Sequence, residues 1–206
     1  MGNQAIGTSL TGHASNGMDG FTQNLNAFVS LGTVLGQIFI FVVVILWLSV
    51  RFEGVRVRKL ANDILSTLRP WGLTLGFFVA LISVSISLIY SEIIGYEPCK
   101  LCWIQRIFLY PQVIILGLAL WKKTKDAAEY CLALSVIGAV IAGYHFYGQS
   151  FNPSALPACD VAGGASCALR FFVEFGYVTI PMMSLTAFLL IIVCMILKKS
   201  TAGKQG

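Results

Sequence analysis

Five long apolar stretches, separated by shorter polar segments, dominate the chain. They cover residues 28–50, 71–94, 103–121, 127–147 and 177–197. A helix needs about 20 mostly apolar residues to cross the hydrocarbon core of a bilayer. Backbone amides in lipid must be satisfied internally, and the alternating strands of a membrane barrel would not give unbroken apolar runs of this length. The pattern therefore predicts an all-α, polytopic membrane protein with five transmembrane helices.

The composition also indicates a chain whose solvent is largely lipid. Of its 206 residues, 57% are hydrophobic and 11% are charged, whereas a soluble domain usually carries about 25% charged residues. The formal net charge of +5 could suggest a nucleic-acid partner. The placement of the basic residues argues against such a partner.

Lysine and arginine are divided unevenly between the two sides of the predicted bundle. Eleven of the 14 basic residues fall in the segment 51–70, in the connection between the third and fourth helices, and in or near the C-terminal tail 198–206. The opposite side holds only Lys100, Arg106 and Arg170. Short loops rich in Lys and Arg remain in the cytoplasm. We therefore expect the N-terminus outside and the C-terminus inside.

The N-terminal 27 residues contain no Lys or Arg and are rich in Gly, Asn, Ser and Thr. Because a secretory signal peptide needs a basic N-terminal region, we interpret 1–27 as an external polar tail, expected to be disordered. Residues 28–50 are then a retained helix, followed by a basic cytoplasmic loop, 51–70. Gly32 and Gly36 form a G-x-x-x-G motif in this helix, which can let two helices approach closely.

Four of the six cysteines fall on the outer side as two close pairs. The pairs are Cys99 with Cys102, in the connection 95–102, and Cys159 with Cys167, in the loop 148–176. The remaining cysteines, Cys131 and Cys194, lie within apolar helices and are interpreted as small buried hydrophobic residues. Disulfides persist outside the cytoplasm, so the outer pairs have the surroundings that disulfide chemistry needs.

Three interpretations of the outer cysteines are open at this point. Both pairs could be structural disulfides that staple the loops. A C-x-x-C with two further thiolates could bind zinc, but the seven residues between Cys159 and Cys167 are a poor ligand spacing, and we predict no metal. The third interpretation is redox chemistry, which the context of the first pair favours.

The first pair stands at the mouth of the third predicted helix. Pro98 precedes Cys99, and the apolar stretch begins at Trp103. The unpaired amides and the dipole of a helix N-terminus stabilise a thiolate. Arg106 lies one turn beyond Cys102 on the same face. It is either a snorkelling anchor at the lipid boundary or a cation that stabilises a reduced electron acceptor.

The run Cys99-Lys-Leu-Cys102-Trp-Ile-Gln105-Arg106 closely resembles the quinone-reducing motif of the DsbB family of membrane disulfide-bond formation proteins. The resemblance covers about residues 71–197. It implies a four-helix DsbB-like domain, here preceded by one additional helix. Because the DsbA–DsbB–quinone system keeps the bacterial periplasm oxidising, the resemblance also implies a bacterial cytoplasmic (inner) membrane protein with its cysteine pairs on the outer side.

The resemblance implies a thiol oxidase that re-oxidises a soluble thioredoxin-like carrier of the DsbA type and passes the electrons to ubiquinone or menaquinone. The reduced carrier would attack a Cys159–Cys167 disulfide and form a mixed disulfide with Cys159. Freed Cys167 would attack Cys99 of a Cys99–Cys102 disulfide. Cys102, released as a thiolate, would donate to the quinone.

Arg106, Gln105 and His145 are the quinone-binding residues that the resemblance implies. His145 and Gln149 are one turn apart at the outer end of the fourth helix, where they could equally form an interfacial polar cap. Aromatic residues near the third helix could line a quinone pocket or face lipid. They are Trp103, Phe108 and Tyr110.

The chain departs from the best-known DsbB proteins in its extra first helix and in the short linker DVAGGAS between Cys159 and Cys167. The short linker is typical of a BdbC-like subgroup. Two other functions compete with the oxidase. One is a membrane scaffold with two structural disulfides. The other is an outward-directed reductant, which would need a cysteine pair on the inner side or an internal electron-donor site. Cys131 and Cys194 are not spaced as a motif, which weighs against it.

Overall fold

A computed structural model describes the backbone of residues 9–52, 55–124, 126–157 and 166–202, and the side chains of 20–50, 58–124, 126–157 and 166–199. Helices make up most of this described part. They are α1 (Ser9–Phe52), α2 (Val55–Leu68), α3 (Gly72–Leu88), α4 (Lys100–Lys122), α5 (Ala127–Ser150) and α6 (Ile180–Ala202). A 3-10 turn, Arg69–Trp71, joins α2 to α3, and a π-helical turn, Ile89–Ile93, continues α3.

Five segments of the described chain are long and apolar enough to cross a membrane. They are Gly20–Val50, Arg58–Ile93, Lys100–Lys122, Ala127–Ser150 and Ile180–Lys199. Within the same described ranges there is no β-strand, and Glu174 and Val178 form an isolated antiparallel bridge. The predicted all-α, polytopic membrane bundle is thereby confirmed.

The main apolar core lies among α3, α4, α5 and α6. Its largest fully buried side chain is Phe188 of α6, whose ring occupies the space that any Cβ at Gly138 of α5 would need. Ser135 of α5 donates a buried hydrogen bond of 2.9 Å to Gln112 of α4. The other core residues come from all four helices, and they include Leu73, Ala80, Leu109, Leu116, Ile191 and Met195.

Cys131 and Cys194 lie within this core and are buried, which confirms the interpretation of both as small hydrophobic residues. They sit in α5 and α6, surrounded by apolar side chains of the bundle. Neither belongs to the cluster that holds the cysteines at the start of α4. The positions of Cys131 and Cys194 therefore do not support the outward-directed reductant, which would use a cysteine pair on the inner side.

Basic residues gather at one end of the bundle and the cysteine motif lies at the other. At the basic end, Lys199 of α6 lies 2.9 Å from Glu129, in the first turn of α5. The start of α3 packs there too, because a Cβ at Gly72 would meet Lys198 of α6. The helix α4 ends at Lys122, and Cys99 is at its other end, directly before its first residue, Lys100. The fold thus separates the two regions that the charge pattern assigns to opposite sides.

The first helix is longer than the sequence predicts. The sequence predicts a disordered tail at residues 1–27, but α1 begins at Ser9, while residues 1–8 lie outside the described part. One contact in this extension is made by Asn26, a buried residue whose side-chain oxygen accepts a 2.9 Å hydrogen bond from the hydroxyl of Tyr90. A polar residue can stay in a helix against the bundle when a partner there satisfies it.

The segment 51–70, expected to be a loop, is also largely helical. Val55–Leu68 forms α2, which is amphipathic. Ala61 and Leu65 are buried one turn apart, and Leu65 packs against Val43 of α1 and Leu197 of α6. Apolar residues at helical spacing therefore override the basic, loop-like composition of this segment. The domain boundaries proposed from the sequence remain predictions.

Candidate functional site

The first cysteine pair caps the N-terminus of α4. Cys99 is the N-cap residue, with φ −68° and ψ 169°, and the backbone N–H of Cys102 donates to its Sγ over 3.4 Å. A side-chain acceptor at this position satisfies one of the amides that a helix start leaves unpaired. The positive end of the helix dipole consequently lies next to both sulfur atoms.

The two sulfur atoms of this pair lie 3.1 Å apart, with Cys99 Sγ donating to Cys102 Sγ. This hydrogen bond, followed by burial, raises the pKa of the Cys99 thiol to about 12, and the neighbouring His145 opposes the shift. Cys99 therefore retains its proton in the dithiol form. The negative charge of the reduced pair is expected on Cys102, at the mouth of the helix.

His145 of α5 is buried beside this pair, with 2% of its surface exposed. Its Nδ1 lies 3.1 Å from the side-chain nitrogen of Gln105, and its Nε2 lies 3.0 Å from the carbonyl oxygen of Cys167 and 3.8 Å from Cys99 Sγ. The amide of Gln105 can only donate at that nitrogen. Nδ1 is therefore the acceptor, and Nε2 carries the proton that reaches Cys167.

The second cysteine pair is described at Cys167 only, because Cys159 lies outside the described residues. Cys167 is buried in a small cluster with Cys99, Leu101 and Leu156. It also borders a narrow cavity together with Cys99 and Cys102. The fold therefore brings together Cys99, Cys102 and Cys167, which are three of the four predicted redox cysteines. They come from two connections that are far apart in the sequence.

The segment that carries Cys167 is fastened to the end of α5. Gln149 is buried, and its side-chain nitrogen donates to the carbonyl oxygen of Leu169 over 2.8 Å. In return, the guanidinium of Arg170 donates to the carbonyl oxygen of Gln149. Gln149 stands out in the sequence as a polar residue at the end of the fourth apolar stretch, whereas nothing in the sequence indicates a role for Arg170 beyond its charge. Gln149 and Arg170 together hold the segment that follows Cys167 against the end of α5.

A larger cavity of about 420 Å³ opens on the other side of Cys102. Its volume falls in the range of about 300–1,000 Å³ that is usual for small-molecule sites. Its walls are mostly apolar, and among the described residues that line it Arg106 is the only cation. The walls come from α1, α3, α4 and α6, and the residues include Val29, Val79, Ile86, Leu109, Met183, Ala187 and Leu190.

Arg106 is held in place at this cavity by the last turn of α3. Its Nε donates to the hydroxyl of Ser87 and one terminal nitrogen donates to the carbonyl oxygen of Ser87, both over 3.0 Å. Its guanidinium carbon also lies 5.2 Å from the centre of the Trp103 ring. A guanidinium has five N–H donors, so donors remain for a ligand in the cavity.

The three predicted quinone-binding residues occupy different places. Arg106 and Gln105 line the large cavity, and so does Cys102. His145 is not among the described residues that line it. It borders the narrow cavity instead and reaches the large one through Gln105. The structure thus places Gln105 between the imidazole and the larger space.

The aromatic residues at the large cavity differ from those that the sequence suggested. Tyr90 and Tyr96 stack with ring centres 5.7 Å apart, and Tyr96 stacks on Phe171 at 4.3 Å. All three line the cavity, whereas Trp103, Phe108 and Tyr110 are not among its described lining residues. Spacing along the chain offers no signal that relates residue 96 to residue 171, because only the tertiary fold brings them together.

A metal ion could in principle be held by the same thiols. The ligand atoms of Cys99, Cys102 and His145 all lie within 4.8 Å of one another. A structural zinc site needs four ligands in tetrahedral geometry, and the described residues supply three. Both nitrogens of His145 already face hydrogen-bond partners. The arrangement therefore favours exchange between sulfur atoms over metal binding.

Comparison with known proteins agrees with this geometry. The family model described as "Disulfide bond formation protein DsbB" matches residues 69–198, which contain α3, α4, α5, most of α6 and both cysteine connections. The chain is 33% identical over 141 residues to "Probable disulfide formation protein C 2" of Bacillus anthracis, covering 68% of this chain and 99% of that protein. It is 41% identical over 122 residues to "Disulfide bond formation protein C" of Bacillus subtilis strain 168, covering 59% and 87%.

A third relative is the "SPbeta prophage-derived disulfide bond formation protein B" of Bacillus subtilis strain 168, 45% identical over 116 residues, covering 56% of this chain and 76% of the relative. No solved structure matches the chain significantly. The family match spans more than half of the sequence and includes the helices that carry the cysteine motif. The chain belongs to the DsbB family of membrane disulfide bond formation proteins.

Proposed function

We propose that this protein is a membrane thiol oxidase that re-oxidises an extracytoplasmic thioredoxin-like carrier and passes the electrons to a membrane quinone. One observation carries the proposal. The Cys99–Cys102 pair lies between Cys167, on the side of the narrow cavity, and a large apolar cavity that holds Arg106. A pair in this position can receive electrons on one side and release them on the other.

The first exchange takes place at the second cysteine pair. A carrier thiolate attacks Cys159 of a Cys159–Cys167 disulfide, a carrier–Cys159 disulfide forms, and Cys167 leaves as a thiolate. The second thiol of the carrier then attacks the carrier's first sulfur, which is bonded to Cys159 in the mixed disulfide. This step releases the oxidised carrier and leaves Cys159 reduced, so two electrons have passed from the carrier to the enzyme.

The second exchange moves these electrons to the first pair. The Cys167 thiolate attacks Cys99 of a Cys99–Cys102 disulfide, and Cys102 leaves as a thiolate at the helix N-terminus, which stabilises it. Cys159 then attacks Cys167, which restores the Cys159–Cys167 disulfide and releases Cys99. The raised pKa of Cys99, caused first by its hydrogen bond to Cys102, keeps the proton on Cys99.

The described residues around the large cavity fit a quinone. The mostly apolar walls suit a ring with an isoprenoid chain, and the Arg106 guanidinium suits its oxygen atoms. A bound quinone, either ubiquinone or menaquinone, supplies an acceptor for two electrons and two protons. Arg106 would hold an oxygen atom of the ring on the side of the cavity that Cys102 lines, and Gln105 links this cavity to His145. The apolar surroundings exclude water from the Cys102 thiolate.

The proposed orientation follows from the charge pattern of the chain. The basic residues that gather at one end of the bundle face the cytoplasm by the positive-inside rule. Cys99, Cys102 and Cys167 then face the outside of a bacterial cytoplasmic membrane, where the carrier is found. Alkylation of single cysteines by a membrane-impermeant maleimide in intact cells tests this orientation. Labelling of a cysteine at the basic end in intact cells would show that the orientation is the opposite of the one proposed.

Quinone reduction by the purified protein tests the function. The protein in detergent is given a reduced thioredoxin-like carrier and a short-chain ubiquinone or menaquinone analogue, and the quinone absorbance is followed. The Cys102→Ser variant should show no turnover, whereas Cys131→Ser, altered within the apolar core, should turn over like the wild type. If neither analogue is reduced while the outer disulfides stay intact, a membrane scaffold with structural disulfides explains the fold better.

A further inference from the structure

The helix α1 lies outside the segment 69–198 that matches the family, yet it borders the large cavity. We infer that α1 and α3 frame a lateral opening of this cavity toward the bilayer, through which the isoprenoid chain of a bound quinone passes, with Gly32 leaving the room for it. This inference rests on the proposed function, because it concerns how the same cavity takes its quinone.

The exposure of the lining residues locates the opening. On α1, Phe28 is 75% exposed and Gly32 is exposed, and on α3, Ile82 is 55% exposed. These three residues line the cavity. In contrast, Thr33 and Leu109, which line it from α1 and α4, are buried. The cavity is therefore enclosed around Cys102 and open between α1 and α3.

Polar contacts hold α1 at this position. The residues of α1 that line the cavity lie within 28–33. Before them, Asn26 accepts a hydrogen bond from Tyr90. After them, Gln37 donates to Thr186 over 3.1 Å and accepts from Tyr177 over 2.7 Å. In lipid there is no water to replace such partners. The two anchors flank residues 28–33, so this part of α1 stays beside the cavity.

The two glycines of the G-x-x-x-G motif have different surroundings. A Cβ at Gly36 would lie 2.9 Å from Leu190 of α6 and 3.4 Å from Thr186, so Gly36 permits the close packing of α1 on α6. A Cβ at Gly32 would meet no heavy atom within 4 Å. Close helix packing does not explain Gly32. Its missing side chain instead leaves the opening wide.

The chemistry of the cavity identifies which part of the quinone lies where. Arg106 and Cys102 stand at one side of the cavity and require the ring and its oxygen atoms there. The opening is bordered by Phe28, Gly32 and Ile82, which offer apolar atoms and no charge. An isoprenoid chain fits this border, because it remains in contact with apolar side chains until it enters the lipid.

Binding measurements with and without the chain test the inference. Gly32→Leu should weaken the binding of a quinone with a long isoprenoid chain about tenfold, measured by quenching of tryptophan fluorescence. The same variant should bind the ring without a chain as the wild type does, because the ring position is unchanged. Gly143→Leu is the matched control, since a Cβ at Gly143 of α5 also meets no atom within 4 Å and Gly143 is not a described lining residue.

Cross-linking of the unaltered protein gives a second test that needs no variant. A photoreactive group placed on the chain of a quinone analogue should label residues 28–33 and the facing part of α3, and excess unlabelled long-chain quinone should abolish the labelling. Labelling confined to α4 and α6, labelling that excess quinone does not abolish, or equal long-chain affinity of Gly32→Leu and wild type would each overturn the inference.

These outcomes separate the inference from the proposed function. A wild-type protein that binds and reduces quinone through Cys102, but is indifferent to Gly32, retains the proposed function and loses the role of α1. A wild-type protein that binds no quinone of either kind loses both.

Discussion

Nε2 of His145 lies 3.0 Å from the carbonyl oxygen of Cys167 and donates a hydrogen bond to it. The same nitrogen lies 3.8 Å from Cys99 Sγ. One buried imidazole thus contacts both the backbone of Cys167 and a sulfur of the first cysteine pair. Thiol–disulfide exchange needs the attacking and receiving sulfurs close together. Under the proposed function, His145 would therefore help to set the rate of transfer from Cys167 to Cys99.

Replacement of His145 should therefore slow exchange between the cysteine pairs more than it weakens quinone binding. We expect His145→Ala to lower the single-turnover rate of transfer from Cys167 to Cys99 by about tenfold to 100-fold, because a misplacement of about 1 Å between reacting groups can cost about 100-fold in rate. His145→Gln, whose amide can still donate to Cys167, should recover part of the rate. Rapid-quench alkylation followed by mass spectrometry measures the step.

The quinone affinity of the same variants is the matching control. His145 is not a described lining residue of the large cavity, so the dissociation constant for a quinone analogue should change little in His145→Ala. If the affinity falls and the exchange rate does not, His145 acts at the quinone, as its resemblance to the family pattern implies. Equal rates for the alanine and glutamine variants would instead indicate a role in packing alone.

The contact between Arg106 and Ser87 leads to a second prediction. Ser87 holds both the Nε and a terminal nitrogen of the guanidinium, an arrangement that the single ammonium of lysine cannot reproduce. Arg106→Lys should therefore raise the KM for quinone about tenfold, and Ser87→Ala should raise it less because the backbone carbonyl remains. Steady-state quinone reduction at saturating carrier gives both values.

The exchange steps before the quinone control for this prediction. The single-turnover oxidation of a reduced carrier should be the same in wild type, Arg106→Lys and Ser87→Ala, because Arg106 lies on the cavity side of Cys102. An unchanged KM for quinone in Arg106→Lys, with intact carrier oxidation, would argue that Arg106 is a snorkelling anchor at the lipid boundary.

The membrane helices and the cysteine motif could be predicted from the sequence because both depend on local information. Apolar runs of sufficient length determine spanning helices, and the C-x-x-C of Cys99 and Cys102 stands at a helix start that its own residues define. Gln105 and Arg106 follow within the next turn, so their position at the same site was also predictable. These features need no knowledge of how the helices pack.

The parts that the sequence did not predict depend on contacts between distant segments. Nothing near Asn26 in the sequence indicates that Tyr90 will satisfy its side chain, so the helical state of the residues around Asn26 is not predicted. The stacking of Tyr96 on Phe171 likewise joins two connections. His145 was recognised as a site residue, but its placement beside Cys99 and away from the large cavity depends on how α5 packs against α4.

The raised pKa of Cys99 predicts how its reactivity depends on pH. Its hydrogen bond to Cys102 is the first cause of the rise to about 12, and burial is the second. Removing the acceptor in Cys102→Ala should therefore lower the pKa of Cys99, and burial should keep it above the ordinary value of 9.0. Because a thiol reacts only as the thiolate, alkylation of Cys99 should then begin at lower pH than in the reduced wild type.

Alkylation of the Cys99 peptide across a pH series, read by mass spectrometry, measures this change. The reduced wild type should show little modification of Cys99 near neutral pH and a midpoint well above that of the variant. A midpoint that does not move in Cys102→Ala would mean that burial alone holds the proton on Cys99. In that case the bond between the two sulfurs does not decide which of them carries the charge.

The attachment of α1 to the bundle gives the last prediction. Gln37 of α1 makes two hydrogen bonds to the segment that contains α6. It donates to Thr186 of α6 and accepts from Tyr177 in the turn that precedes α6. Such bonds in membrane proteins are worth about 0.6 kcal/mol each on average, so Gln37→Leu should lower the free energy of unfolding by about 1 kcal/mol. Leu35→Ala is the control, because Leu35 is 58% exposed on the same helix and its loss should matter less.

Unfolding in mixed micelles, followed by circular dichroism, measures both variants, and long-chain quinone affinity is measured alongside. If α1 frames the opening of the large cavity, Gln37→Leu should lose affinity for the chain-bearing quinone together with stability, because a loosened helix no longer borders the chain. Leu35→Ala should keep both. A Gln37→Leu protein as stable as the wild type would show that apolar packing at Gly36, and not the polar pair, holds α1 against α6.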